Sequence, residues 1–288
     1  MIEPESRYYE SARLRLHYAV WGDESRPPLM LLHGSRDHAR SWDFVANALV
    51  DRFSVYAPDL RGHGDSDWAI GSQYSVIDYV LDLAKLVETI GRFPVVLVGH
   101  SLGGGVVLEY AGTMPHRVAK VVSIEGLGPR GLAHRPADAR MRDYLGYMWD
   151  LEKRDPRHYK TFDDAARRMR EANRHLSPEL ALHLTKHGVR RLDDGSYTWK
   201  FDNFTRIRSP YEWNNEDART IWNAIKTPVL LVRGSESWHQ DPNRDGRSNA
   251  FHDMRSVVVK GAGHWVHHDQ FEKFVQVVRD FLAAEGVR

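Results

Sequence analysis

The sequence contains no cysteine and almost no net charge, and these two absences exclude several classes of protein. Without cysteine there is no disulfide, no thiolate nucleophile and no cysteine-ligated zinc site. The 40 Lys and Arg residues are balanced by 39 Asp and Glu residues, which leaves a formal charge of +1. This balance gives no reason to expect nucleic acid as a partner.

Long hydrophobic runs are also missing. No apolar stretch approaches the roughly 18 residues that a membrane span needs, so no membrane association is predicted. The first ten residues, MIEPESRYYE, are polar and acidic, which is not the pattern of an export signal. We therefore expect a cytoplasmic protein, and 42% hydrophobic with 27% charged residues is typical of a soluble globular chain.

Short apolar runs alternate with amphipathic segments over most of the chain. Most of the runs are continuously apolar, as in strands buried on both faces of a parallel sheet, whereas the first alternates like an outer antiparallel strand. Strands alternating with helices predict an open α/β sheet. The strand-like runs are RLRLHYAVWG (13–22), PLMLLHG (28–34), FSVYAPDL (53–60), PVVLVGHS (94–101), AKVVSIEG (119–126), PVLLVRG (228–234) and RSVVVKGAGH (255–264), and the predicted helices cover 42–49, 76–90, 102–113 and 269–284.

The alternation lapses between residues 129 and 225, where charged helices and loops are predicted, with a hairpin turning at Asp194-Gly195. An insertion between two strands lies over the carboxyl ends of an open α/β sheet, where such folds bind ligands. We therefore predict a core formed by residues 1–128 and 226–288 and a cap formed by residues 129–225.

The segment GHSLGG, residues 99–104, matches the pattern G-x-S-x-G between a predicted strand and a predicted helix. In that context Ser101 is predicted to be a nucleophile exposed on a tight turn. The first amide of the following helix, that of Leu102, is placed to donate to an oxyanion. The alternative is a glycine-rich helix start with Ser101 as its N-cap.

A serine hydroxyl needs a base to remove its proton, and His264 in VKGAGHWVHH follows the last apolar strand. The alternative is a surface histidine, because the chain has 16 histidines. His267 and His268 are interpreted as rim or helix-cap residues. No carboxylate-rich motif accompanies HWVHH, so no metal is predicted.

A second oxyanion donor is expected from the loop after the strand PLMLLHG. In LLHGSRDHARSW this donor is the amide of Ser35, which follows His33 and Gly34. The glycine-rich segment DLRGHGDSD, residues 59–67, is expected to shape the floor of the site. The predicted pocket wall comprises His33, Gly34, His100, Trp238 and Trp265.

The segments HGSRDHARSW, DLRGHGDSD, GHSLGG and GAGHW occur in an order and spacing that resemble the α/β-hydrolase superfamily. The resemblance is to its capped members, which include bacterial esterases, haloalkane dehalogenases and epoxide hydrolases. It implies a mostly parallel eight-stranded sheet with a helical cap inserted after the sixth strand, Ser101 as nucleophile, His264 as base and no cofactor. Dehalogenases and epoxide hydrolases use aspartate where this chain has Ser101, which argues against both activities.

The third member of the triad departs from the family pattern. The family's aspartate follows the strand PVLLVRG, but this chain has Ser237 there, with Glu236 and Asp241 nearby. Glu125 ends the strand VVSIEG, where certain dehalogenases carry their acid. We therefore predict Glu125 as the acid, with Glu236 and Asp241 as alternatives and a site without a carboxylate as the remaining case.

The sequence thus favours a serine hydrolase that cleaves a small ester-like molecule through an acyl-enzyme intermediate. The same residues serve a lactonase, thioesterase, amidase or carbon–carbon bond hydrolase, and fold-level analogy does not choose among them. The alternative from another class is a ligand-binding protein on a hydrolase fold that no longer turns over substrate.

Overall fold

The computed structural model describes residues 1–71, 74–127, 136–207, 209–211, 214–239, 241, 243–244 and 246–284. The strands are β1 (Glu5–Ser11), β2 (Leu14–Trp21), β3 (Pro28–Leu32), β4 (Ser54–Pro58), β5 (Val95–His100), β6 (Val118–Ile124), β7 (His158–Tyr159), β8 (Val189–Arg191), β9 (Tyr197–Trp199), β10 (Val229–Gly234) and β11 (Met254–Val259). The helices are α1 (Asp43–Leu49), α2 (Val76–Ile90), α3 (Leu102–Thr113), α4 (Ala137–Glu152), α5 (Phe162–Ala172), α6 (Pro178–Gly188), α7 (Asn215–Asn223), α8 (Val266–Asp269) and α9 (Phe271–Ala283).

Eight strands form one sheet in the order β1-β2-β4-β3-β5-β6-β10-β11. The pairs β1–β2 and β2–β4 are antiparallel, and the other five pairs are parallel. This confirms the predicted mostly parallel eight-stranded sheet. Within the described residues no helix has both the length and the apolar character required to cross a bilayer.

Helices cover both faces of the sheet, which explains the continuous apolar runs. Side chains alternate across a strand, so Leu29 and Leu31 of β3 pack into one core with α1 and α9, while Met30 and Leu32 pack into the other with α2 and α3. Every residue of β3 and β5 is buried. A strand placed in this way needs apolar side chains at successive positions on both faces.

Strand β1 was not predicted from the sequence. Its residues ESRYYES pair with β2 at the edge of the sheet, and most of its side chains are exposed. An edge strand is held by main-chain hydrogen bonds on one side only and tolerates polar side chains, so its apolar signal is weak.

The segment between β6 and β10 contains α4 to α7 and a separate three-stranded sheet in the order β7-β9-β8. Strands β8 and β9 pair antiparallel around the expected turn, where Gly195 has a φ of 85°. Helix α7 packs on α3 so closely that a Cβ on Gly112 would overlap the carbonyl oxygen of Ile221. The last residue of the first core segment, 128, and the first residues of the predicted cap, 129–135, lie outside the described residues, and the boundaries 129 and 225 stay predictions.

A buried ion pair holds the DLRGHGDSD loop against α2. The Arg61 guanidinium donates to both carboxylate oxygens of Asp82, at 2.7 and 2.6 Å, and both side chains are almost completely buried. Burial alone would raise the pKa of Asp82 and lower that of Arg61, so each charge depends on the other. The loop is therefore a structural support beneath the carboxyl ends of the strands.

Arg61→Met is expected to lower the free energy of unfolding by about 3–5 kcal/mol, because it leaves the Asp82 charge buried without its partner. Equilibrium urea unfolding measures this change. The matched control is Arg142→Met, since Arg142 forms an exposed pair with Asp138 at 2.7 Å, and such pairs contribute less than about 1 kcal/mol. Equal effects of the two substitutions would contradict the prediction.

Candidate active site

Ser101 lies on a sharp turn between β5 and α3. Strand β5 ends at His100, α3 begins at Leu102, and Ser101 between them has a φ of 52° and a ψ of −112°. A residue with a Cβ rarely adopts this backbone, and such strain often occurs at functional positions. The Ser101 amide donates to the Ile124 carbonyl at 2.8 Å, which ties the turn to β6. The strand, strained serine and helix form the nucleophile elbow that G-x-S-x-G predicts.

Three glycines allow the backbone to pack closely around this elbow. A Cβ on Gly99 would overlap the Gly103 carbonyl, and a Cβ on Gly103 would overlap the last carbonyl of β3. A Cβ on Gly34 would lie 2.8 Å from Nδ1 of His100 and 3.3 Å from Cβ of Ser101. The loop after β3 is therefore in direct contact with the serine turn.

The two predicted oxyanion donors lie on either side of that contact. Leu102 is the first residue of α3, and the first amides of a helix have no partner within the helix and favour negative charge. Ser35 follows Gly34, which packs on the elbow. Both amides are thus on segments that adjoin Ser101, and their role as oxyanion donors remains a prediction.

His264 lies on the loop between β11 and α8, and its backbone is tied to the elbow. Its carbonyl accepts a hydrogen bond from Nε2 of His100 at 2.9 Å, and the two rings are 4.7 Å apart. Because His100 directly precedes Ser101, this bond keeps the histidine loop beside the serine. The Ser101 hydroxyl and the His264 ring are not hydrogen-bonded to each other, a contact that often forms only with substrate present.

Glu125 reaches His264 from the end of β6. One carboxylate oxygen accepts from the Gly234 amide at 2.7 Å, and the other accepts from the Ser237 hydroxyl at 2.8 Å. The second oxygen is 3.7 Å from Nδ1 of His264, a nitrogen without a hydrogen-bond partner among the described residues. Ser237, at the position where the resemblance places the acid, thus donates to the carboxylate that is predicted to serve instead.

The two alternative acids point elsewhere. The Glu236 carboxylate lies 2.9 Å from the Arg174 guanidinium and 3.5 Å from Nε2 of His175. The Asp241 carboxylate accepts from the amide of Asn243 at 3.0 Å, within its own turn. Among the described contacts neither carboxylate meets the His264 ring, so the structure brings only Glu125 to it.

Aromatic rings surround the His264 imidazole. Trp238 stacks on it at 4.3 Å and Trp265 meets it edge-on at 5.2 Å. The Trp238 side chain is otherwise well exposed at 66%, so it lies where a ligand can touch it. His239 also stacks on the ring, at 5.1 Å and 12°. The sequence analysis missed His239, whose only signal was its position next to Trp238.

Three other histidines lie behind the site rather than on its surface. His33 is completely buried: its Nδ1 donates to the Gly34 carbonyl and its Nε2 accepts from an amide in the loop after β4. His100 is equally buried and donates to the His264 carbonyl. The expectation that His267 is a rim or helix-cap residue is wrong, because its ring is buried, stacks on Trp42 at 4.5 Å, and lies within α8, whose N-cap is Trp265.

Asp269 connects the histidine loop to the segment after α5, a link that the sequence did not reveal. One of its oxygens accepts from the Gly263 amide at 2.8 Å, and the other accepts from the Asn173 side chain at 2.8 Å. Gly263 directly precedes His264. The position of the predicted base is therefore tied to residues of the predicted cap.

The site holds His264 neutral. Burial, with a smaller contribution from His239, lowers the pKa of His264 to about 3. Burial also raises the pKa of Glu125, while its hydrogen bonds from Gly234 and Ser237 favour the ionised form. A neutral imidazole beside an ordered carboxyl group is the state in which a histidine can accept a proton.

Comparisons with known proteins agree with this fold and elbow. A family model described as the alpha/beta hydrolase fold matches residues 27–271. An uncharacterized protein of Mycobacterium tuberculosis, Rv2715, is 38% identical over 266 residues, which cover 90% of this chain and 76% of that protein. The esterase Rv0045c of the same species is 26% identical over 267 residues, or 91% of this chain and 84% of the esterase. The crystal structure of E-2-(acetamidomethylene)succinate hydrolase superposes with a TM-score of 0.80 at 23% identity, covering 98% of this chain and 100% of that one.

Fold and elbow together define a hydrolase scaffold of the α/β type. The family match spans well over half of the chain, and the chain therefore belongs to the α/β-hydrolase fold family.

The buried histidines are expected to make the free energy of unfolding decrease as the pH is lowered. Burial lowers the pKa of His33, His264 and His268 to about 3 and that of His63 to about 4, whereas an unfolded histidine titrates near ~6.5. Between these pH values the unfolded chain binds more protons than the folded protein does. The stability that is present above pH ~6.5 is therefore lost as the pH falls towards ~4. Each group contributes a loss of up to about 1.4 kcal/mol per pH unit.

His63→Asn tests this dependence, because it should make the free energy of unfolding less steep between pH 6.5 and 5 by about one group's contribution. His252→Asn is the control, since His252 is exposed and should leave the slope unchanged. Equal slopes in wild type and His63→Asn would contradict the assignment.

Proposed function

We propose that the protein is a serine hydrolase that cleaves carboxylic esters of small molecules through an acyl-enzyme intermediate. The observation that carries the proposal is the strained backbone of Ser101, held on a turn that adjoins both the Gly34 loop and the His264 loop. Strain of this kind persists only where the surrounding structure enforces it. A plain helix cap needs no such backbone, because the residues favoured as caps adopt an extended conformation there.

In the proposed reaction the neutral His264 ring takes the proton of the Ser101 hydroxyl as Oγ bonds to the ester carbonyl carbon. The carbonyl oxygen becomes an oxyanion, stabilised by the amides of Leu102 and Ser35. The protonated ring then gives its proton to the leaving alcohol, and the acyl group stays on Ser101. Water, deprotonated by His264, attacks this ester and releases the acid and the free serine. One donor of this kind lowers the barrier by about 3–4 kcal/mol.

Glu125 is the proposed orienting acid. A carboxylate facing Nδ1 keeps the proton on that nitrogen, so Nε2 is free to act as the base, and it stabilises the imidazolium that forms. The 3.7 Å separation between Glu125 and Nδ1 is longer than a hydrogen bond. We propose that it shortens when the ring becomes charged. The Ser237 hydroxyl and the Gly234 amide hold the carboxylate for this role.

Lactones, thioesters and amides react through the same tetrahedral intermediate, so the ester assignment depends on substrate profiling. A panel of esters varied separately in acyl and alcohol length measures which side of the site is selective. The name of the relative Rv0045c, an esterase, supports starting with esters. A serine in the elbow argues against the dehalogenase and epoxide hydrolase reactions, which proceed through an alkylated carboxylate.

Ser101→Ala is expected to lower kcat/KM for short-chain aryl esters by at least ~10³-fold, because it removes the proposed nucleophile. A fluorophosphonate probe should label Ser101 in the wild-type protein, as read by mass spectrometry of the labelled peptide. The control is Ser196→Ala in the turn between β8 and β9, which should keep both activity and labelling. Undiminished hydrolysis by Ser101→Ala would refute the serine mechanism and favour the non-catalytic alternative.

Glu125→Gln is expected to reduce kcat by several orders of magnitude with little change in KM, since an amide no longer enforces the productive tautomer. Steady-state kinetics on the best aryl ester give both constants. Glu236→Gln and Asp241→Asn are the matched controls, because their carboxylates are bound elsewhere. Near-wild-type turnover in Glu125→Gln together with an inactive Asp241→Asn or Glu236→Gln would show that another acid serves the histidine.

A further inference from the structure

Two partly buried histidines on α6 and one buried aspartate on α1 meet where these helices approach each other. His183 and His187, in the sequence HLTKH, are four residues apart and so project from the same face of α6. Asp43 is the first residue of α1. Imidazoles spaced in this way on a helix are a recurring arrangement for binding zinc. This cluster is separate from the proposed active site and has no part in the reaction described above.

The geometry of the cluster suits a small cation. Nε2 of His183 is 3.1 Å from a carboxylate oxygen of Asp43, and the two imidazole rings are 4.9 Å apart at 57° to each other. One ligand atom from each of the three residues lies within 4.8 Å of the others. In a tetrahedral zinc site with bonds of about 2.0–2.1 Å, ligand atoms are about 3.3 Å apart. Closing the site therefore requires a movement of about 1.5 Å at most.

Arg40 and Glu3 are the charged neighbours of the cluster. In the described part of the chain the ring nitrogens of His187 make no hydrogen bond, whereas Nε2 of His183 lies 3.3 Å from the Arg40 carbonyl oxygen. Arg40 binds the carboxylate of Asp43 at 2.8 and 2.9 Å, but Arg40 also pairs with Glu3 at 2.8 Å. The Glu3, Arg40 and Asp43 side chains together thus keep a charge of −1, and Arg40 holds the carboxylate as an outer partner.

A second group of possible ligands, formed by His17, Asp59 and Asp65, is already satisfied. Nδ1 of His17 is bonded to Asp59 at 2.7 Å and its Nε2 to the Ser6 hydroxyl at 2.8 Å. With both nitrogens engaged, the ring has no lone pair available for a metal.

A third group, Glu125, His239 and His264, belongs to the proposed active site. Its two imidazole rings are nearly parallel, at 12°. Nitrogen lone pairs lie in the ring plane, so two parallel rings do not direct them at one ion without a large rotation. The planes of His183 and His187, inclined at 57°, can converge on one point.

We propose that Asp43, His183 and His187 bind one divalent ion of the late first-row transition metals, such as zinc, with water as the remaining ligand. Two imidazoles and one carboxylate form a ligand set that these ions accept. On binding, the ion replaces the contacts of His183 Nε2 with Asp43 and the Arg40 carbonyl, the ring proton moves to Nδ1, and Nε2 binds the ion. The ion connects α6, in the predicted cap, to α1, in the predicted core, so it fastens the two segments together.

Isothermal titration calorimetry of the chelator-treated full-length protein with zinc chloride measures the affinity and stoichiometry of the site. Hydrogen exchange of the α6 amides measures whether the ion fastens α6 to α1. Wild type should bind one equivalent and show slower exchange in α6. The double variant His183→Gln/His187→Gln should bind at least about 100-fold more weakly and show no zinc-dependent change in exchange. His252→Gln, which removes an exposed histidine elsewhere, is the matched control and should bind like wild type.

The outcomes separate this proposal from its alternatives and from the proposed function. Unchanged affinity in the double variant, or loss of binding in His239→Gln instead, would overturn it. Thermal unfolding without metal verifies that each variant is folded. If the double variant is not folded, His187→Gln alone replaces it in the titration, because the His187 ring makes no hydrogen bond that the fold needs. Binding is read without any substrate, so it stands or falls independently of ester hydrolysis, and Ser101→Ala should bind zinc like wild type.

Discussion

The left-handed backbone of Ser101 is the constraint on which the rest of the site depends. It is tolerated because the strand before it and the helix after it are both fully packed, and because glycines at 99 and 103 let the main chain cross without side chains. Any bulk at those positions would separate β5 from α3 or push the loop after β3 away from the turn. The same close approach that strains the serine also brings the Gly34 loop against it. The strain and the contact with the Gly34 loop therefore have one physical origin.

Several histidines near this site hold its loops in place and have no proposed part in the reaction. His100, next to the serine turn, is hydrogen-bonded to the His264 carbonyl and so holds the His264 loop beside that turn. His33 is hydrogen-bonded to both the loop after β3 and the loop after β4. Burial keeps both rings neutral, so each can donate from one nitrogen without bringing a charge into the core. The loop bearing the predicted base is also held by Asp269, which binds Asn173 beyond α5. The segment inserted between β6 and β10 is thus hydrogen-bonded, through Asp269, to the loop that carries the predicted base.

The position of the proposed acid, Glu125, follows from the order of the strands in the sheet. In the parallel sheet β6 lies between β5 and β10, so a side chain at the end of β6 borders both the serine turn and the loop that usually carries the acid. Glu125 is longer than aspartate and brings its carboxylate to 3.7 Å from Nδ1 of His264, while Ser237 donates a hydrogen bond to it. A carboxylate buried in this way needs such donors, because an unpaired charge in the interior is costly.

The sequence by itself determined the sheet, the helices that cover it, the elbow and the order of the loops, because continuous apolar runs, helical periodicity and G-x-S-x-G are local patterns. It missed β1, whose edge position leaves little apolar signal, and it placed His267 on the rim although α8 turns that ring into the core. Only the tertiary structure distinguished Glu125 from Glu236 and Asp241 as neighbours of His264, and only it brought His239 and Asp269 to the site. These contacts join residues far apart in the chain or depend on which way a loop turns, and such relations leave no periodic pattern in a sequence.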